Sequence, residues 1–217
     1  MYTAFIGAPG AGKGTQAAEV RSEIGPHLAS GDMFREAMAQ GTPLGLEVKA
    51  FVDSGQLVPD DLTVATVLDR LSRPDCEHGA LLDGFPRTLA QAEALDRELA
   101  KQGRKVDQAL YLAVAEDELV RRLSGRWLCR VCQTPYHEIF QPPRVPGVCD
   151  RCGGGLFQRP DDRSETVKTR LKLFLDETAP LIDYYRSRGI LDEVDGAQDV
   201  DVVRDDVFAA VRKRRGI

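Results

Sequence analysis

The apolar run Tyr2–Ile6 leads directly into GAPGAGKGT, residues 7–15, and few folds are open to a chain that carries this junction. A short buried strand empties into a loop of four glycines and a lysine, and helical periodicity resumes beyond it. The order is strand, loop, helix. Glycines allow positive φ and let backbone amides approach a phosphate without side-chain bulk. The following helix aims its N-terminal dipole at the same place, and Lys13 adds a point charge for the outer phosphates. The common spacing puts Ser or Thr directly after the lysine; here Gly14 stands there and the hydroxyl arrives one residue later, as Thr15. A dinucleotide fingerprint fits less well, because Gly10 and Gly12 would then require Gly or Ala at position 15. A purely structural turn is the competing reading.

The alternation continues along the chain. Strands are expected at 2–6, 27–32, 79–85, 107–114 and 189–195, and helices at 13–24, 32–40, 43–55, 60–72, 88–103, 116–123, 164–189 and 199–214. Strands separated by helices imply parallel pairing with right-handed crossovers, hence an α/β core. The pattern is interrupted near 29–58 and again at 125–162, where composition shifts to Cys, Pro and Gly. A chain of 217 residues can bury one good core and carry such appendages. No stretch approaches the roughly 18 apolar residues that span a bilayer. The opening MYTAFIGAPG has no basic segment ahead of its apolar residues, so the cytoplasm is the expected location. A net charge of −5 opposes a general nucleic-acid binder. Arginine outnumbers lysine 22 to 7, so only arginines at meaningful positions carry weight.

CRVC (129–132) and CDRC (149–152) form C-x2-C-x16-C-x2-C. Two such knuckles bring four thiolates into a tetrahedron suited to Zn²⁺, with no open position, so the metal is structural. Iron also accepts four thiolates; disulfides are the other reading, disfavoured in a reducing compartment. A segment of about 38 residues cannot build a core alone, and a metal substitutes for one. The insertion is either a nucleic-acid-binding ribbon or a lid over phosphates. Its flanks, Arg122 and Arg126 before it and Arg159, Asp161 and Asp162 at its end, favour the lid. Cys76 reads as a small buried apolar residue, His27 as structural, and His137 as superfluous beside four thiolates.

With these residues in view, GAPGAGKGT is similar to the GxPGxGKGT loop of adenylate kinases, where Gly-Thr after the lysine is the usual form. SGDMFR (30–35), GQLVPD (55–60) and LLDGFPRTLAQ (81–91) resemble the nucleoside-monophosphate side of the same family in order and spacing. The resemblance implies a P-loop NTPase-type parallel sheet flanked by helices. It implies a core of 1–28, 59–124 and 163–217, a small helical NMP-binding insertion at 29–58 and a zinc-binding lid at 125–162. By resemblance Gly10, Ala11, Gly12, Lys13, Gly14 and Thr15 hold ATP, with Arg122 and Arg126 on its phosphates. Pro135 and Tyr136 lie against the donor adenine (lid packing is an equal alternative for Tyr136), as does the backbone of Gln198.

On the acceptor side the resemblance puts Ser30, Arg35, Arg87 and Gln91 on AMP, Ser30 standing where many relatives have Thr. The backbone of Gln56, Leu57, Val58, Gly84, Phe85, Pro86 and Arg87 lines the base and phosphate. Arg159 and Arg170 reach the monophosphate and the transferring group, so that Lys13, Arg87, Arg122, Arg159 and Arg170 form the catalytic set. Asp83 holds Mg²⁺ through water. The implied reaction is ATP + AMP ⇌ 2 ADP in a monomer that binds neither nucleic acid nor membrane. Planar guanidinium forks match phosphate oxygens, and the Gln91 amide offers a donor and an acceptor to a base edge. Two other readings stand beside it: a kinase of the same fold for another monophosphate, and a zinc-ribbon binder without enzymatic activity.

Overall fold

The computed structural model describes residues 1–158, 162 and 164–217, with the side chains of Ser124, Ser164 and Glu165 excepted. Five parallel strands form the central sheet in the order β2-β3-β1-β4-β8, where β1 is Tyr2–Ile6, β2 His27–Ala29, β3 Ala80–Asp83, β4 Val106–Ala113 and β8 Leu191–Asp195. β1 is central, flanked by β3 and β4. Ligands of open α/β sheets bind at the carboxyl ends of strands where the winding reverses, which here is the end of β1. Register brings the site together. Phe5, two residues before the glycine loop, pairs with Asp83, and Asp83 pairs with Ala29 on its other side, one residue before Ser30.

Alternation along the strands divides the interior into two layers. Ala4, Ile6 and Leu82 face a core built with α4 (Asp60–Leu71), α5 (Leu89–Lys101) and α8 (Pro180–Ser187). Phe5, Leu81, Leu110 and Leu112 face the opposite core, with α1 (Lys13–Ile24), α6 (Glu116–Ser124), α7 (Ser164–Leu173) and α9 (Val200–Arg215). The adjacent Leu81 and Leu82 are fully buried in different layers, each contributing about 1.5–3 kcal/mol of transfer free energy. Both strand faces are covered, so these strands read as apolar runs rather than alternating ones.

The sequence reads as one helix over 164–189, and the structure breaks it. α7 ends at Leu173, residues Phe174–Thr178 form a wider turn, and α8 starts at Pro180. Pro180 has no N–H to donate and its ring would meet the carbonyl four residues back. The chain widens instead, with Ala179 N donating to Phe174 O at 2.8 Å. Thr178 Oγ1 then donates to Arg87 O at 2.9 Å, which ties this wide turn to the site.

Both insertions have small cores of their own. In the first, α2 (Ser30–Ala39) and α3 (Pro43–Ser54) pack around Phe34, Val48 and Val58. A Cβ at Gly45 would lie 2.1 Å from Ala37 O, so only glycine permits this helix crossing. In the second, β5 (Arg126–Cys129), β6 (Pro135–His137) and β7 (Leu156–Phe157) make an antiparallel sheet in the order β6-β5-β7. These strands, two to four residues long, are too short to show a period in the sequence and are not expected from it. Among the described residues no helix is long and apolar enough to cross a membrane.

Candidate active site

The glycine loop connects β1 to α1. Gly12 caps the helix at φ 96° and Gly10 sits at φ 86°, and a Cβ on Gly10 would come 2.9 Å from Leu123 Cγ on α6. Side chains are excluded there on both counts. Lys13 Nζ donates to Gly7 O at 2.6 Å and Ala8 O at 3.0 Å. Burial pushes its pKa down to about 8. The carboxylate of Asp83 opposes that shift, and the guanidinium charges of Arg87, Arg170 and Arg126 add to it.

Asp83 lies at the carboxyl end of β3, facing the loop: a Cβ at Gly14 would be 3.8 Å from its Oδ2. Burial alone would raise its pKa. The hydrogen bond to His27 Nε2, at 3.2 Å, and the charges of Lys13 and Arg87 outweigh burial and hold the carboxyl below its ordinary value. His27, expected to be merely structural, therefore touches the site. An ionised carboxylate beside a phosphate loop has the donor chemistry to hold a water-shelled Mg²⁺.

Two clefts meet beside this group. The first, about 520 Å³, is lined by Ser30, Arg35, Gln56, Leu57, Val58, Gly84, Arg87, Gln91 and Arg170, which are residues expected on the monophosphate side. The second, about 510 Å³, is lined by Gly7, Pro9, Lys13, Pro86, Leu173, Phe174 and Thr178 and shares Gly55, Leu57, Gly84, Arg87 and Arg170 with the first. Phe85, expected to line the site through its backbone, is among the lining residues of neither cleft, and its ring is buried in the core. Ser30 Oγ donates to Gly84 O at 2.7 Å, and Arg87 Nε donates to the same carbonyl at 2.8 Å. Arg35 pairs with Asp32 at 2.5 Å on the rim.

Of the other arginines expected at the site, Arg122, Arg126 and Arg170 are held by carboxylates, and Arg122 by a backbone carbonyl as well. Arg122 donates to Glu118 Oε1 and Gly196 O, both at 2.7 Å, pinning the turn before Gln198 against α6. Gln198 itself is exposed and donates to Asp206 at 3.1 Å. Arg126 forks onto Asp162, with Nε to Oδ2 at 2.8 Å, and Arg170 reaches the other oxygen at 3.1 Å. Asp162 is buried, and among the described residues the guanidinium groups of Arg126 and Arg170 hold its carboxylate. Arg159 lies outside the described residues.

In the lid the four cysteine Sγ atoms lie within 4.8 Å of one another. Cys129–Cys152 is 3.4 Å, Cys132–Cys149 3.5 Å and Cys132–Cys152 3.3 Å. A zinc ion with sulfur at about 2.3 Å needs thiolates about 3.8 Å apart, so the cluster fits. The amides of Val131 and Cys132 approach Cys129 Sγ at 3.4 and 3.5 Å. The hydroxyl and amide of Thr134 hold the Cys132 thiol down to about 6. The Tyr136 ring is buried, its hydroxyl accepting from Asp150 N at 2.8 Å and lying 3.4 Å from Cys149 Sγ. That side chain is committed to the lid, while Pro135 is exposed. Cys76 is buried as expected, with Arg70 Nη1 3.1 Å from its sulfur.

A parallel sheet with a glycine-rich loop at its central strand and two adjoining clefts lined with guanidinium groups defines a P-loop phosphotransferase. A family model described as "Adenylate kinase" matches residues 5–190. The chain is 50% identical over 217 residues to the adenylate kinase of Bacillus subtilis (strain 168), covering all of this chain and 98% of that one. It is 50% identical to that of Bacillus velezensis, over 95% of this chain and 96% of the relative, and 49% identical to that of Archaeoglobus fulgidus, over 98% and 99%. The chain belongs to the adenylate kinase family.

Proposed function

We propose that this enzyme catalyses ATP + AMP ⇌ 2 ADP, with ATP on the glycine loop and AMP in the cleft of Ser30, Arg35 and Gln91. The observation that carries this reading is the convergence of Lys13, Asp83, Arg87 and Arg170 where the two clefts meet. Two polyanions laid end to end there place the γ-phosphorus of one opposite a phosphate oxygen of the other. Transfer breaks the bond from the γ-phosphorus to the β,γ-bridging oxygen and forms a bond to the AMP oxygen. The nucleophile is already an anion, so no general base is required. Catalysis rests on positioning and charge neutralisation.

Lys13 and the loop amides take the donor phosphates, with Arg122 and Arg126 at their outer side. Arg87 and Arg170, with Arg159, span the acceptor phosphate and the group in flight. Asp83 would hold Mg²⁺ through water; the bound ion supplies charge neutralisation on the donor phosphates. Cys129, Cys132, Cys149 and Cys152 would hold a structural zinc that orders the lid. We read residues 29–58 and 125–162 as the two flaps that screen the reaction from water. The enzyme works as a monomer in the cytoplasm on this reading. A coupled assay of ADP formation at fixed MgATP across AMP, GMP, CMP and UMP tests it. Strong turnover with AMP is expected; no ADP from AMP, or equal turnover with UMP, overturns it.

A further inference from the structure

Gln91 is 1% exposed and sits in the first turn of α5, at the wall of the acceptor cleft. Its amide has two N–H donors and two oxygen lone pairs. Two of these four positions are already engaged. Oε1 accepts from Arg87 N at 2.7 Å, and Nε2 donates to Asp60 Oδ1 at 2.7 Å. A backbone amide can only donate and an ionised carboxylate can only accept, so both neighbours dictate the same orientation. Turning the amide over would set N–H against N–H at one end and oxygen against oxygen at the other.

Asp60 is itself fixed. Its Oδ2 accepts from Thr88 Oγ1 at 2.9 Å, and Thr88, the N-cap of α5, accepts from Gln91 N at 3.2 Å. Asp60 is also the first residue of α4, so its backbone is set by that helix. What remains on Gln91 is one N–H on Nε2 and one lone pair on Oε1, with the positions of nitrogen and oxygen fixed.

We propose that Asp60 is a specificity-determining positioning residue: it holds the Gln91 amide in the order that accepts an amidine base edge and refuses a lactam edge. An adenine edge shows a ring-nitrogen acceptor beside an amino donor. Hypoxanthine and guanine show the reverse, a ring N–H beside a carbonyl, and would need the inverted amide. A site built to match one order leaves buried polar groups unpaired against the other. The proposal rests on the reading above that Gln91 faces the acceptor base.

The test measures kcat and KM for AMP and for IMP, which differ only at this edge, in wild type, Asp60→Asn and Gln91→Ala. Asparagine keeps the size and offers Gln91 either an oxygen or an N–H, while Arg87 N still favours the original orientation. The AMP:IMP ratio of kcat/KM is expected to fall about tenfold in Asp60→Asn, mainly through the monophosphate KM values, with the KM for ATP near wild type. In Gln91→Ala it should fall at least as far. Both substrates are measured on one preparation, so any loss of folded enzyme cancels from the ratio. An unchanged ratio in Asp60→Asn with a collapsed ratio in Gln91→Ala refutes the role of Asp60 and leaves Gln91 as the base reader. An unchanged ratio in both refutes the reading of Gln91 and the proposal with it.

Discussion

Nucleotide binding should draw a proton from solution, and Lys13 is the reason. Burial among arginines holds its pKa near 8 instead of the ordinary 10.5. At pH 7, 8 and 9 the free enzyme therefore carries Lys13 deprotonated in about one-tenth, one-half and nine-tenths of molecules. Triphosphate oxygens placed against the ammonium favour its charged form and return the pKa to its ordinary range or above. Uptake on binding MgATP is then roughly 0.1, 0.5 and 0.9 proton at the three pH values, by the same titration arithmetic. Calorimetry in pairs of buffers with different ionisation enthalpies reads this number directly. Arg87→Ala removes one of the charges that depress Lys13, so uptake at pH 8 should shrink; Lys13→Met should abolish it. Uptake that is flat from pH 7 to 9, or persists in Lys13→Met, refutes the reasoning. The same shift fixes a sign for stability. The folded pKa lies below the unfolded one, so the folded state disfavours the ammonium and the full cost is present below pH 8. That cost is relieved as pH rises from about 8 to 10.5, so the Lys13 contribution to stability improves with pH across this window. Bound nucleotide should flatten the trend.

Other consequences are direct. Arg87→Ala should lower kcat by about 10²–10³-fold with the far-ultraviolet circular dichroism unchanged; near-normal turnover would remove Arg87 from the reacting centre. Complete removal of metal from the lid should lower the melting temperature by roughly 5–10 °C, with a smaller effect on the chemical step in single-turnover measurements. An unaltered melt in demetallated protein refutes the structural role of the cysteines. Gly45→Ala drives a methyl group into Ala37 O and should cost about 1–3 kcal/mol by overpacking. Its signature is a raised KM for AMP with an unmoved KM for ATP, and unchanged constants for both would refute the link between this helix crossing and the acceptor pocket.

The sequence by itself determined the α/β alternation, the glycine loop and the cysteine spacing. Each is a local signal: a run of apolar residues, a glycine that needs positive φ, two knuckles of fixed length. The resemblance to adenylate kinases grouped Ser30, Arg35, Arg87 and Gln91, and the fold brings all four to one cleft. The tertiary structure decided the rest. Pro180 looked like an ordinary helix residue until the wide turn at Phe174–Thr178 carried Thr178 to Arg87. His27 on Asp83, Asp162 between Arg126 and Arg170, and Asp60 on Gln91 are pairings across 56, 36, 8 and 31 residues. The orientation of a buried amide depends on which donors and acceptors the packed chain sets at its two ends; for Gln91 one end meets Arg87, four residues away, and the other meets Asp60, which only tertiary packing brings there.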